Sequence, residues 1–400
     1  MKIDPAGTSH LTYCTNIHPG ETWDEVRANL ERFLPQAKAA LVPDAPFGVG
    51  LRLSAVAAED LADEATRRAF KLFLSEQHLY VFTLNGFPYG EFHGTPVKEN
   101  VYLPDWRDDA RLDYTNTLAD ILADIMPESI EGSISTVPGA FKSLIKTHQD
   151  ITAMAHNMIR HVAHLSDLHQ RTGKIISLTL EPEPCCFIET IDEAVAFFQD
   201  HIFSDAAIDF LVSLTDLDIA AADAALHRHL GICLDLCHAA VEFEDAAEAV
   251  GKLKSAGILI GKMQISAGLR FAPVGDRTVE LLQPFDDEVY LHQTVASHDG
   301  VLSRYVDLGE AFKAQGAAGD AADEWRVHFH VPIFLDDLGE FSTTQNFIRE
   351  VLALHRETPI SSHLEVETYT WDVLPAKYRN VDVVSAIVRE LDWVRGQLTG

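Results

Sequence analysis

The chain has 400 residues, 47% of them hydrophobic and 23% charged, with a mean hydropathy near zero. This excludes disordered and fibrous classes and leaves room for a large buried core. Lysine and arginine total 31 against 61 acidic residues, a net charge of -30 spread along the chain, and a field of that sign repels phosphate backbones and anionic lipid, so neither nucleic acid nor a membrane surface is an expected partner.

No apolar run approaches the roughly 20 residues that span a bilayer, and the amino-terminal MKIDPAGTSH has no signal-peptide core. The five cysteines, with Cys185 and Cys186 adjacent, do not suggest a disulfide framework. A cytoplasmic location is the expectation. Homo-oligomerisation is left open.

In chain order, strand-like and helix-like stretches alternate. Residues 10–17 (HLTYCTNI) form a first strand, followed by the loop His18-Pro19-Gly20-Glu21. Thr22 and Glu25 make a capping box, and Val26, Leu30 and Phe33 recur at helical spacing. Pro35 should kink or stop that helix. A second strand covers 47–54 and a second helix 59–76, and the third strand, 79–84, opens into NGFPYGEFHGTPVKENVYLPDW over 85–106. So long a loop in a compact domain suits a lid or a binding segment, or else an irregular cover over the barrel mouth. Phe87, Tyr89 and Trp106 could wall a pocket or pack the loop.

A helix over 109–126, a strand over 129–136 and a long helix over 141–171 follow. That helix carries His148, His156, His161, His164 and His169, which a solvent-facing surface explains better than a metal. Strand five (174–180) ends in EPEP, with another capping box at Thr190 and Glu193. After a helical stretch over 204–229 comes LGICLDLCHAAVEFE, strand six, which delivers Asp235 at its carboxyl end and His238 in the next loop. Cys233 and Cys237 flank Asp235 but lack a second pair, so they read as small buried residues. A helix over 245–255 leads to strand seven (258–266). An insertion spans 267–325, ending at RVHFHVPIF, in which His328 and His330 face one side of an extended segment. A helix over 343–356, strand eight (364–368, with Glu365 and Glu367) and a helix over 382–397 complete the chain.

Eight strand and helix pairs at intervals of about 30 to 60 residues predict a (β/α)8 barrel forming a single domain over 1–400. No glycine-rich phosphate fingerprint follows the first strand, which disfavours a doubly wound sheet. Ligand-type residues at the ends of strands five, six and eight suggest a shared metal site at the barrel mouth.

The Glu after strand five, the Asp-x-x-His after strand six and the Glu of strand eight resemble the xylose-isomerase-like barrels, a superfamily of sugar isomerases and epimerases. HLTYCTNIHPGE, the 85–106 loop, LEPEP and HFHVPIF more specifically resemble the EboE family of metabolite traffic proteins. The superfamily pattern implies a divalent metal, Mn2+, Mg2+ or Zn2+, on Glu181, Asp235 and Glu367, the last preferred over Glu365 because it lies nearer the strand's carboxyl end. Strand seven departs from the pattern by offering Gln264 instead of His. The Gln264 carbonyl could fill the gap, but His330 is expected to replace the missing imidazole, with Gln264 as an additional ligand or a group supporting one. The resemblance also implies that His238 contacts a substrate hydroxyl.

A cation that chelates a hydroxyl and a neighbouring carbonyl acidifies the carbon-bound proton and stabilises an enediolate. Glu181 or Glu367 would move the proton, and Asn16, His18, Asn85, His93, His238 and His328 are the candidate contacts to a polyol, sugar or cyclitol. The expected activity is that of an isomerase or epimerase. A non-catalytic metabolite carrier is the alternative, since fold does not imply turnover.

Overall fold

A computed structural model describes residues 1–3, 8–90, 98–286, 291–317, 322–370 and 382–399. Eight strands form one sheet: β1 (His10–Tyr13), β2 (Phe47–Arg52), β3 (Leu79–Asn85), β4 (Gly132–Thr136), β5 (Ile176–Leu180), β6 (Leu230–Asp235), β7 (Leu259–Ile265) and β13 (His363–Val366). Their order is β1-β13-β7-β6-β5-β4-β3-β2, and every neighbouring pair is parallel. The ring closes where Cys14 bridges Gly50 in parallel and the Thr12 hydroxyl accepts from the Gly50 amide at 3.2 Å. Helices flank the strands, as the alternation predicts.

Within the strands, apolar residues alternate with small polar or charged ones. Leu178 and Leu180 are fully buried on β5, and Thr179 sits between them. The polar set faces the barrel interior, because its contacts join strands that are not neighbours. His363 of β13 bonds Ser133 of β4 at 2.8 Å, and Lys262 of β7 reaches Ser135 of β4 at 3.3 Å.

Several helix bounds differ from the expected ones. The helix Trp23–Leu41 begins at the Thr22 capping box but runs through Pro35. Its buried stripe of Trp23, Val26, Leu30, Leu34 and Leu41 outweighs the roughly 3 kcal/mol that an interior proline costs. The 59–76 stretch divides into Ala55–Ala62 and Glu64–Glu76, because Asp63 turns out of the helix and caps the second piece through the Thr66 amide. The long helix starts at His148, where Thr147 and Asp150 make a capping box. On it His161 is buried, bonded to Asn116 at 2.7 Å, and so departs from the expected solvent-facing surface. His238 lies on a short helix, Leu236–Val241, which Asp235 caps.

The insertion builds a second sheet of five antiparallel strands: β8 (Ala267–Phe271), β9 (Thr294–His298), β10 (Val301–Tyr305), β11 (Glu324–Val331) and β12 (Ser342–Thr343). Asp299 and Gly300, both at positive φ, make the two-residue turn between β9 and β10. The sheet extends past 325 and takes in the HFHV segment as β11. Against β8, Val327 pairs with Leu269 and Val331 with Ala267. Four steps along β11 therefore match two along β8, and residues 328–330 leave the ladder as a bulge.

Candidate active site at the barrel mouth

The ends of β5 and β13 and the bulge line a cavity of about 100 Å³, and Asp235 is not among its lining residues. Glu181 follows β5, Asp235 ends β6 and Glu367 follows β13. One carboxylate oxygen from each lies within 4.8 Å of the others. Asp235 Oδ1 accepts from the His238 amide at 2.9 Å and from the Ser266 hydroxyl at 2.7 Å, while Oδ2 has no hydrogen-bond partner. Glu367 Oε1 accepts from the side-chain amides of Asn16 at 2.7 Å and Asn85 at 3.1 Å. Glu181 Oε2 is buried without a partner. Among the described residues no Lys or Arg pairs with any of the three; Asp235 has only His238 Nε2 at 3.9 Å and Glu367 only His330 Nδ1 at 3.5 Å.

Burial therefore disfavours the charged forms. It pushes Glu181 well above the usual carboxylate range, and the Glu367 and Asp235 charges add to the effect. Glu367 is held at about 7, with burial the main cause and His330 opposing it.

Three imidazoles stand beside the carboxylates. His238 is brought there by the Asp235-capped turn, and His328 and His330 by the bulge. Each engages its Nδ1: His238 with the Pro182 carbonyl at 3.0 Å, His328 with Gln293 Oε1 at 2.8 Å, and His330 with the Glu367 carbonyl at 3.1 Å. Burial brings His238 down to about 4 and His328 well below the ordinary histidine value.

Asn16, Asn85, Glu181, His238, His328, His330 and Glu367 all line the cavity. His18 does not: its ring stacks on Phe33 with centroids 4.3 Å apart and bonds the Tyr13 hydroxyl at 3.1 Å, because the short 3-10 turn Thr15–Ile17 carries it to the outer side. His93 lies outside the described residues. Gln264 is buried in register with Asp235 and Glu365, with neither side-chain polar atom hydrogen-bonded. Glu365 sits deeper and pairs with Lys262 at 2.6 Å. Phe87 lines the cavity, whereas Trp106 is buried against Thr136 and Tyr89 packs on Tyr114.

Glu183, Tyr102 and Gln293 were not singled out in the sequence. Glu183 accepts from the Tyr102 hydroxyl at 2.6 Å and from Gln293 Nε2 at 3.1 Å, and burial lifts it to about 8 despite these bonds. The second Glu of EPEP was its only local signal. Lys98, the one lysine or arginine among the described cavity-lining residues, is bonded to Asp307 at 2.6 Å.

No family model and no curated protein matches the sequence. Solved structures do match. A xylose isomerase-like TIM barrel protein from Mycobacterium smegmatis, in complex with magnesium, superposes with a TM-score of 0.50 and 15% identity, covering 98% of both chains. A xylose isomerase domain protein from Planctomyces limnophilus gives 0.49 and 12%, covering 91% of each. A D-tagatose 3-epimerase-like protein gives 0.48 and 12%, covering 97% of each. With its closed parallel sheet and ring of helices, the chain has the xylose isomerase-like (β/α)8 TIM-barrel fold.

Proposed function

We propose that the protein is a metal-dependent isomerase or epimerase acting on a small sugar or cyclitol, with Glu181, Asp235 and Glu367 as the metal-binding carboxylates. The observation that carries this reading is their convergence: three buried carboxylates with oxygens within 4.8 Å, two of those side chains having an oxygen without a hydrogen-bond partner, and no lysine or arginine among the described residues to neutralise them. Such a group is costly unless a cation sits among it. The oxygen-rich donor set suits Mg2+ or Mn2+, and a fourth donor from Gln264 or His330 also admits Zn2+.

When bound, the cation supplies positive charge that stabilises an enediolate developing on the substrate. The rest of the work falls to the chain. Glu367, which lines the cavity, is placed to take a carbon-bound proton and give it back. Asn16 and Asn85 donate to its Oε1 and so fix the orientation of the carboxylate. Glu181 on the opposing strand end is the second carboxyl. Return of the proton to the neighbouring carbon isomerises, and return to the opposite face epimerises. His238 and His328 border the space for substrate, and Phe87 supplies an apolar wall. Asn16, Asn85, His328 and His330 belong to the segments that resemble EboE proteins, so we extend the same reading to a role in metabolite traffic.

The test is elemental mass spectrometry of purified wild type and Asp235→Ala, followed by incubation with ketoses and inososes in deuterated water. Metal bound by wild type, lost from the variant, and deuterium entering the substrate at the carbon beside the carbonyl are expected. A folded wild type that takes up no Mn2+, Mg2+ or Zn2+ and exchanges no carbon-bound proton would overturn the proposal in favour of a metabolite carrier.

A further inference from the structure

We infer that His238, His328 and His330 form a second metal site, selective for a nitrogen-preferring cation of the Zn2+ class, beside the carboxylate site. The argument begins with the ring tautomers. The Nδ1 partners of His238 and His330 are backbone carbonyls, which only accept. The partner of His328 is Gln293 Oε1, and that carboxamide is oriented by its Nε2, which donates to Glu183 Oε1 at 3.1 Å and to the Pro184 carbonyl at 3.3 Å. All three rings therefore carry their proton on Nδ1. In the neutral form of each ring the Nε2 atom is then a lone pair.

Those lone pairs point at one another. The Nε2 to Nε2 separations are 3.0 Å between His238 and His328, 3.1 Å between His328 and His330, and 3.4 Å between His330 and His238. Without hydrogens between them, three such contacts are repulsive. A Zn2+ ion about 2.0–2.1 Å from each nitrogen would hold tetrahedral ligands about 3.3 Å apart, which is the spacing of this triangle. Hydrogen bonding of every Nδ1 to an oxygen is also how protein structures orient metal-binding imidazoles.

The fold builds the triangle from two independent devices. The Asp235-capped helix Leu236–Val241 presents His238, and the β11 bulge presents the other two rings. All three line the cavity, so a fourth coordination position is open to water or a substrate oxygen. Asp235 Oδ2, unpartnered and 3.9 Å from His238 Nε2, stands between the two sites. With His330 committed here, Gln264 is the fourth donor left to the carboxylates. The protein would then hold two different ions, a borderline cation on nitrogen and a harder one on oxygen.

The experiment uses the full chain stripped with chelator. Zn2+ uptake is measured by elemental mass spectrometry, and Co2+ is followed by its visible absorption, which is intense when tetrahedral and weak when octahedral. Wild type, His328→Gln and Glu181→Gln are compared. Wild type is expected to bind about two ions per chain, with a strong cobalt band. His328→Gln should lose one ion and the band, while Glu181→Gln should lose the other ion and keep the band. A band that survives His328→Gln overturns the inference. Loss of the band only in Glu181→Gln also overturns it and leaves the carboxylate site standing, whereas a wild type that binds a single ion, removed by His328→Gln alone, supports the histidine site and removes the carboxylate one. Nitrogen-15 spectra of the wild-type histidines guard against misfolded variants. Nε2 resonances that shift on adding Zn2+ support the site, and a proton shared among the rings that persists in excess Zn2+ overturns it.

Discussion

The floor and the mouth of the barrel bury carboxylates in opposite ways. On the floor, Glu365 is fully buried, yet Lys262 lies 2.6 Å away and is fully buried too, so the charges cancel inside the protein. Gly50 makes room for the pair, since a β-carbon there would lie 1.7 Å from Glu365 Oε1. At the mouth, Glu181, Asp235 and Glu367 converge with no lysine or arginine partner among the described residues. A third case, Glu390, shows what a buried carboxyl does with donors and no cation. It accepts from the Thr368 hydroxyl at 2.7 Å and the Ile333 amide at 3.2 Å, and burial still raises it to about 7. The floor is compensated by the ion pair alone, since neither Glu365 oxygen makes a hydrogen bond. The uncompensated mouth is where the proposed metal would sit.

The largest effect that sharpens this contrast is on the floor. Lys262→Met should lower stability by roughly 3–5 kcal/mol, because it strands a buried charge, and Lys262→Met with Glu365→Leu should recover most of the loss. Urea unfolding measures both. A tolerated single variant would break the contrast by showing that Glu365 is neutral or liganded.

At the mouth the sign reverses. Glu181→Gln in chelator-treated protein should raise stability by about 1–2 kcal/mol, since it removes one of the mutually repelling carboxyls, and it should abolish turnover. A destabilised variant would mean that the chain itself already compensates Glu181. Gly50→Ala should cost about 1–2 kcal/mol by pushing on Glu365 and the Tyr13 carbonyl, without altering the metal content of the mouth.

The last effect is spread over pH as a slope. Glu390 has an ordinary value of 4.5 in the unfolded chain and about 7 in the folded one. Its contribution is complete below pH 4.5. It falls as pH rises from 4.5 to 7, where the unfolded chain ionises first, and is flat above that, with a slope of at most about 1.4 kcal/mol per pH unit. Glu390→Gln should remove that part of the slope in unfolding curves taken across the window.

The barrel was legible in the sequence because its signals are local. Strand alternation, capping boxes such as Thr22 with Glu25, and ligand-type residues at the ends of apolar runs all follow from short-range periodicity. Asp235 and His238 were visible for that reason, since three residues of chain connect them. What tertiary structure alone decided was which distant residues meet. Parallel register put Glu365 beside Lys262 and sent Glu367 to the mouth. The outward turn that stacked His18 on Phe33, and the packing that carried a helix through Pro35, depended on neighbours far along the chain. Glu183 is held at the cavity wall by Tyr102 and Gln293, from two other segments. The β11 bulge set His328 and His330 within 3.4 Å of His238, 90 and 92 residues away. Periodicity reports the face on which a side chain lies, and only closure of the barrel with its inserted sheet determines what that face meets.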